Sequence, residues 1–302
     1  MDILTESAFA KLNLTLDVLD RREDGYHNIR SVMQTISLRD DVVLNVNTEQ
    51  PWQVHCYREV IDETDAEHPS VTLDTEGLPQ DRQNLAWAAA EAFCKRTGVE
   101  LNGVEIFINK RIPMQAGLGG GSADAAAVLR ALNQHFGCPL SIPALCELGA
   151  SIGSDVPFCV LCGTALVEGR GELLTKLSDV KELYFVVCKP DFSVSTRELY
   201  EKLDESFIEK RPNVNDMMAN LLKGEPLGIA GSMCNVFEPI VLKEHFEINM
   251  IRSMMMTYGA FGAQMTGSGS AVFGLYDSFE YATVACMMLK ESFPQVFLAA
   301  AV

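Results

Sequence analysis

Pro113-Met114-Gln115-Ala116-Gly117-Leu118-Gly119-Gly120-Gly121-Ser122-Ala123 is the stretch on which the reading of this 302-residue chain turns. It follows Val104–Arg111, where apolar residues alternate as in a strand. It leads into Ala123–Phe136, where Val128, Leu129, Leu132 and Phe136 recur at helical spacing before a terminating Gly137. Four glycines in the five positions from Gly117 to Gly121 therefore join a strand to a helix. Glycines let backbone N–H groups turn inward and approach an anion closely, and a helix N-terminus adds roughly half a positive charge. A mere helix cap needs one glycine, not four. The stretch reads as a phosphate cradle.

Two common glycine-rich nucleotide loops do not fit. The Walker form G-x-x-x-x-G-K-[ST] fails because Ser122-Ala123, not a lysine, follows the last glycine. The dinucleotide form G-x-G-x-x-G fails because it requires glycine where Ser122 stands. What remains is a proline-led P-x-x-x-G-L-G-G-G-S-[SA] loop. That pattern resembles the loop of the GHMP kinases, the superfamily of galactokinase, homoserine, mevalonate and phosphomevalonate kinases.

Composition narrows the setting. With 48% hydrophobic and 22% charged residues the chain has ample core for one large or two ordinary domains. No apolar run approaches the roughly 18 residues that span a membrane. The first residues carry Asp2 and Glu6 and lack a basic region followed by an apolar block, so a cytoplasmic protein is expected. A formal charge of −17 argues against nucleic-acid and acidic-membrane partners, which need a basic face. It does not argue against nucleotides, which local donors capture. Lys110 and Arg111, the cations beside the loop, therefore weigh more than the total. Nine cysteines scattered through apolar segments read as reduced thiols, and the lone Cys159-Val-Leu-Cys162 does not make a zinc site.

The chain order points to an α+β protein. Strands are expected at residues 3–8, Leu12–Leu19, Ile29–Leu38, Val42–Asn47 and Gln53–Tyr57, with an Asp24-Gly25 turn after the first pair. Glu59–Gln80 reads as an acidic, irregular insertion. Helices are expected at Asn84–Thr97 and Ile142–Ala150, a turn or helix at Phe158–Cys162, and a hairpin of Thr164–Glu168 with Leu173–Lys176. The polar break Asp179–Glu182 marks a domain boundary, giving domains 1–179 and 180–302. Beyond it the order is strand (Leu183–Cys188), three helices (Thr196–Leu203, Asn215–Leu222, Glu244–Tyr258), two strands (Ala263–Thr266, Ser270–Leu275), helix (Phe279–Phe293) and strand (Val296–Ala300). An antiparallel sheet backed by helices accounts for that alternation.

Three further features carry chemistry. Asp155, in Gly153-Ser-Asp-Val-Pro157, follows a glycine break at the start of a helical turn, where it is either an N-cap or a carboxylate held ionised for reaction. Lys11 heads an apolar strand and must point to solvent or into a polar cavity. Thr266-Gly-Ser-Gly-Ser270 is either a plain hairpin turn or a second backbone-lined anion contact.

Taken in order, Ala10-Lys-Leu-Asn-Leu14, Asp24-Gly-Tyr-His27, the Pro113 loop, Gly153–Pro157 and Thr266–Gly269 resemble one GHMP branch from Lys11 to about Phe273. That branch phosphorylates the 2-hydroxyl of a cytidine-diphosphate-linked methylerythritol in the non-mevalonate isoprenoid pathway. The resemblance implies a two-domain GHMP kinase fold. Its N-terminal α+β domain is ribosomal-protein-like, with a left-handed β-α-β unit, and its C-terminal α+β domain is ferredoxin-like, with the site between them. It further implies ATP with Mg²⁺, Asp155 as general base and Lys11 as its charged partner. Pro113 to Ala123, with Lys110 nearby, would hold the ATP phosphates. Asn13, Tyr26, His27 and Tyr200 would meet the cytidine end. Acidic spacing assigns no ligand to the metal, for which Ser122 is the candidate. The competing readings are a GHMP kinase for another small alcohol such as homoserine, and a non-catalytic nucleotide-binding protein on the same fold. The Asp24-Gly-Tyr-His27 turn disfavours the first, and Lys11 with Asp155 disfavours the second.

Overall fold

A computed structural model of the chain describes residues 1–62, 70–180 and 182–302. Local sequence signals end its helices where capping chemistry demands. Asn84 accepts from the Ala86 N–H to start α1 (Leu85–Thr97), and Gly98 at φ 75° ends it. Ser141 caps α3 (Ile142–Ala150), whose bounds match the sequence reading. The chain divides into two compact units, residues 1–9, 39–112 and 120–161 in the first and residues 10–38, 113–119 and 162–302 in the second.

In the first unit, β3 (Gln53–Asp62) runs parallel to β5 (Val104–Asn109) and antiparallel to β4 (Ser70–Asp74). Strand β5 in turn pairs antiparallel with Asp41–Val46 of β2 (His27–Val46). Strands β3 and β5 are joined through α1, which packs with α2 (Gly120–His135). α3 and α4 (Val156–Leu161) complete the helical layer. Leu44, Ile106, Phe93, Leu129, Leu132 and Phe158 are buried between sheet and helices. The Glu59–Gln80 expectation is corrected in part. Val60, Val71 and Thr72 are β-branched, and they favour the β3–β4 pairing of the segment's flanks; residues 63–69 lie outside the described residues.

In the second unit, β6 (Thr164–Gly169) pairs antiparallel with Ile29–Gln34 of β2 and with β7 (Leu173–Lys176), the expected hairpin. Strand β9 (Cys234–Asn235) lies parallel to Thr15–Leu16 of β1 (Asp2–Arg21). A separate four-stranded sheet has the order β10–β11–β8–β12, built from β8 (Tyr184–Lys189), β10 (Gly262–Met265), β11 (Val272–Tyr276) and β12 (Gln295–Ala300). All its pairings are antiparallel. α5 (Thr196–Asp204), α6 (Val214–Lys223), α7 (Pro226–Ser232), α8 (Glu238–Val241) and α9 (Glu247–Thr257) connect β8 to β10, and α10 (Phe279–Lys290) connects β11 to β12. That chain order and sheet order make a split β-α-β-β-α-β, the ferredoxin-like arrangement.

Two breaks expected in the chain are absent. β1 and β2 are each unbroken over 20 residues, where the sequence reads as two strands apiece. In β2 the misleading signal is Arg39-Asp40-Asp41, polar enough to read as a turn. Asp40 is instead fully buried, and its Oδ1 accepts from the Arg111 and Ile112 N–H groups at 2.6 and 2.8 Å. Hydrogen bonds and the paired Lys110 ammonium offset the cost of burying this carboxylate within the strand. Helix α2 also starts three residues earlier than Ala123. Positive φ is confined to Gly117 and Gly119 of the run, at 73° and 72°, so Gly120 and Gly121 are free to be helical.

Candidate active site

The Pro113–Gly119 half of the loop is anchored by its apolar members. Pro113, Ala116 and Leu118 are buried, while Gln115 is exposed and adopts φ 50°. The Leu118 carbonyl accepts from the Lys11 N–H at 3.0 Å, and the Ala116 carbonyl from the Ala271 N–H at 3.2 Å. Gly117 lies against the hairpin that joins β10 to β11: a Cβ there would stand 2.2 Å from the Thr266 carbonyl oxygen. Gly267, across the contact, would put a Cβ 2.9 Å from the Gly117 carbonyl oxygen. Thr266–Ser270 is thus a hairpin turn, and it is also the floor beneath the loop.

Lys11 is only 3% exposed, so it points into a polar interior and not to solvent. Its ammonium donates to Asn13 Oδ1 at 2.5 Å, and a Cβ on Gly267 would be 3.3 Å from it. Asn13 is held on every side. Its Nδ2 donates to Ser31 Oγ at 2.9 Å, its N–H donates to Thr266 Oγ1 at 3.0 Å, and its carbonyl accepts from Gln264 at 2.9 Å. The buried Asn235 amide donates to the Met265 and Gly267 carbonyls, both at 2.9 Å, and Glu238 accepts from the Met265 N–H at 2.6 Å. Burial pushes the Glu238 carboxyl above its ordinary range, against the pull of Arg252. Gln264, Asn235 and Glu238 fix the hairpin, and the sequence reading missed all three. The one signal was a lone asparagine between apolar residues in Met233-Cys-Asn-Val-Phe237.

The Asp24-Gly25 turn forms as expected, with the Tyr26 N–H donating to Asp24 Oδ1 at 3.1 Å and Gly25 at φ 87°. Tyr26 is 54% exposed and carries the Arg170 guanidinium 4.9 Å from its ring centre. His27 stacks on Tyr200 with ring centres 4.7 Å apart, and its Nε2 lies 2.7 Å from Asp204 Oδ1. The structure therefore brings His27 and Tyr200 together, and it adds Asp204.

In the first unit, Asp155 immediately precedes α4, with its carbonyl accepting from the Cys159 N–H at 3.1 Å, and it is half-buried. Gly153 of the same motif lies next to the end of the glycine run: a Cβ there would be 3.8 Å from Ser122 Oγ. Ala123 is buried in the first turn of α2.

Lys110 lies against the start of α2, since a Cβ on Gly120 would come within 3.3 Å of its ammonium. That ammonium is buried and committed to two carboxylates, Asp40 and Asp124 Oδ2, the latter at 2.7 Å. Burial pulls the lysine down, but the two carboxylates outweigh it and hold the ammonium above its ordinary value. Burial raises the Asp124 carboxyl to about 7, against Lys110 and helped by the Asp40 charge. Among the described residues, no group of three or more His, Cys, Asp or Glu side chains is arranged to hold a metal ion. The Ser122 hydroxyl at the start of α2 is a hard oxygen donor of the kind that suits Mg²⁺.

Residues 84–163 match the GHMP kinases N terminal domain, and residues 217–295 match the GHMP kinases C terminal domain. The 4-diphosphocytidyl-2-C-methyl-D-erythritol kinase of Caldicellulosiruptor saccharolyticus is 43% identical over 288 residues, covering 94% of this chain and 93% of the relative. The chain belongs to this kinase family. The kinase of the same name from Clostridium tetani is 38% identical, covering 96% of this chain and 97% of its own. A crystal structure of 4-(cytidine 5'-diphospho)-2C-methyl-D-erythritol kinase superposes with a TM-score of 0.77 at 31% identity, covering 99% of both chains. Homoserine kinase from Cytophaga hutchinsonii shares the fold, with a TM-score of 0.74 at 20% identity over all of this chain and 95% of its own. The α+β GHMP kinase fold expected from the sequence is the fold of the family. No helix among the described residues is long and apolar enough to cross a membrane.

Proposed function

We propose that this chain transfers the γ-phosphoryl group of ATP to the 2-hydroxyl of 4-diphosphocytidyl-2-C-methyl-D-erythritol, giving the 2-phosphate and ADP. The observation that carries the reading is the 43% identity, over nearly the whole length of both chains, to a kinase named for that substrate. The reaction belongs to the methylerythritol phosphate route to isoprenoid precursors, and we place it in the cytoplasm, where ATP is made available.

Phosphoryl transfer passes through a loose transition state, so positioning and charge neutralisation do most of the work. In our reading the N–H groups of Pro113–Ala123 cradle the phosphates. The buried Lys11, oriented by Asn13, steadies negative charge as the substrate oxygen attacks phosphorus and the bond to ADP breaks. Asp155 accepts the hydroxyl proton. Tyr26, His27 and Tyr200 receive the cytidine end. Lys110 supports the loop through Asp40 and Asp124 without itself touching phosphate. Mg²⁺ bound with ATP would neutralise phosphate charge, and Ser122 would offer it a protein oxygen. The two family matches fall on either side of residue 179, which supports a division into domains 1–179 and 180–302.

A coupled ADP-release assay over a panel of alcohols tests the proposal. The cytidine-diphosphate-linked methylerythritol should be turned over with a kcat/KM at least a hundredfold above homoserine or mevalonate. Equal turnover of homoserine would overturn it.

A further inference from the structure

The stacked ring of His27 has a partner that the phosphotransfer chemistry does not use. Helix α5 carries Tyr200 and Asp204 four residues apart, which places them on one face. Both meet the same imidazole. Tyr200 covers the ring plane at 4.7 Å and 24°, and is backed edge-on by Phe237 at 4.9 Å. Asp204 Oδ1 takes Nε2 at 2.7 Å. The other carboxylate oxygen lies 3.6 Å from the Arg21 guanidinium. The imidazole is 8% exposed, so water competes little for its nitrogens.

A carboxylate offers only lone pairs, so a 2.7 Å contact fixes the proton on Nε2. The neutral ring then has its lone pair on Nδ1, which is an acceptor. Ring rotation would exchange the two nitrogens, and the Tyr200 stack opposes it. The backbone entering β2 is held as well, because the Arg22 N–H donates to the Tyr26 carbonyl at 2.7 Å just before His27.

We propose that Asp204 is a positioning residue that sets the tautomer of His27 and so favours cytosine over uracil. The proposal rests on the reading that Tyr26–His27 receive the cytidine end of the substrate. Cytosine presents an amino donor at its 4-position where uracil presents a carbonyl acceptor. An Nδ1 held as an acceptor pairs with the first and faces a like partner in the second. Stacking makes no such distinction, because both pyrimidines offer similar faces. A site that leaves a buried polar group unpaired rejects the wrong ligand far more strongly than shape does.

Two measurements test this, and the first needs no substrate. Nitrogen-15 NMR of the labelled histidines at about pH 8.5, where free imidazole is neutral, reads which His27 nitrogen carries the proton. Nε2–H is expected in the parent, with loss of that preference in Asp204→Asn. The second is kcat/KM for the cytidine-diphosphate substrate against its uridine counterpart. In Asp204→Asn the ratio should fall about 10- to 100-fold, chiefly through a raised KM for the cytidine substrate, and Asp204→Glu should recover part of it. An Nδ1–H tautomer in the parent overturns the proposal, and that outcome stands even if Asp204→Asn fails to fold. A ratio within threefold of the parent in a folded Asp204→Asn overturns it too. A parent inactive on both substrates overturns the substrate reading itself and, with it, the selectivity claim, whatever the tautomer.

Discussion

Gly117→Ala perturbs the contact between the glycine loop and the Thr266 hairpin with a single methyl group. At φ 73° any residue with a Cβ costs about 1–2 kcal/mol relative to glycine. The larger effect is steric. The methyl would sit 2.2 Å from the Thr266 carbonyl oxygen, 3.1 Å from its carbon and 3.2 Å from the Gly269 nitrogen. Ordinary C···O contacts are about 3.3–3.6 Å, so loop and hairpin must part by roughly 1 Å. All three obstructing atoms are backbone, and no rotamer change relieves them. The separation would stretch the Ala271 to Ala116 hydrogen bond, already 3.2 Å long. Overpacking of this kind typically destabilises by about 1–3 kcal/mol. A displacement of about 1 Å in a group that positions a reactant costs on the order of 10² in rate. Steady-state ADP release with ATP varied should therefore show kcat/KM for ATP down about a hundredfold, and urea unfolding should show a loss of about 2–5 kcal/mol, the two costs together. Gly121→Ala is the control. It lies in α2, and its Cβ would meet only Leu85 Cδ1, at an ordinary 3.7 Å. Its stability should be unchanged or higher by about 0.5–1 kcal/mol. Gly117→Ala with kinetics within threefold of the parent and an unchanged unfolding midpoint would refute the argument.

Asp155→Asn and Lys11→Ala should each lower kcat by about 10²–10⁴ while ATP binding by calorimetry persists; turnover within threefold of the parent in either variant removes that residue from the chemistry. Asn235→Ala removes both amide bonds to the Met265 and Gly267 carbonyls and should cost about 1–3 kcal/mol in urea unfolding. It should lower kcat/KM as well, because the hairpin under the loop loosens. Asp124 gives a pH prediction. Burial raises its carboxyl to about 7 in the folded chain, against about 3.9 for a free aspartate, so between those values the folded state holds a proton that the unfolded state has released. Its contribution therefore weakens as pH rises from about 4 to about 7. The unfolding free energy of the parent minus that of Asp124→Asn should be larger at pH 5 than at pH 8, and the reverse slope would show that Asp124 is ionised throughout.

Much of this protein is written in short-range signals. The strand, glycine run and helix around Gly117–Gly121, the caps at Asn84, Gly98 and Ser141, and the β-α-β-β-α-β order after residue 183 are each set by residues within a few positions of one another. Periodicity and capping act over that range, so they are legible without coordinates. The short elements between Pro226 and Val241 escaped because glycines and prolines blur their periodicity. What only tertiary structure decided is the fate of the charges. Lys11, taken alone, reads sooner as a solvated than as a buried lysine until the chain brings Thr266, 253 positions from Asn13, against its neighbour. Asp40 reads as a turn residue until Lys110, 70 positions away, neutralises it. Asp204 gives no sign of a role until it meets His27 across 177 positions. A charge or polar group is buried only where partners from elsewhere replace its water, and no local pattern records which partners arrive.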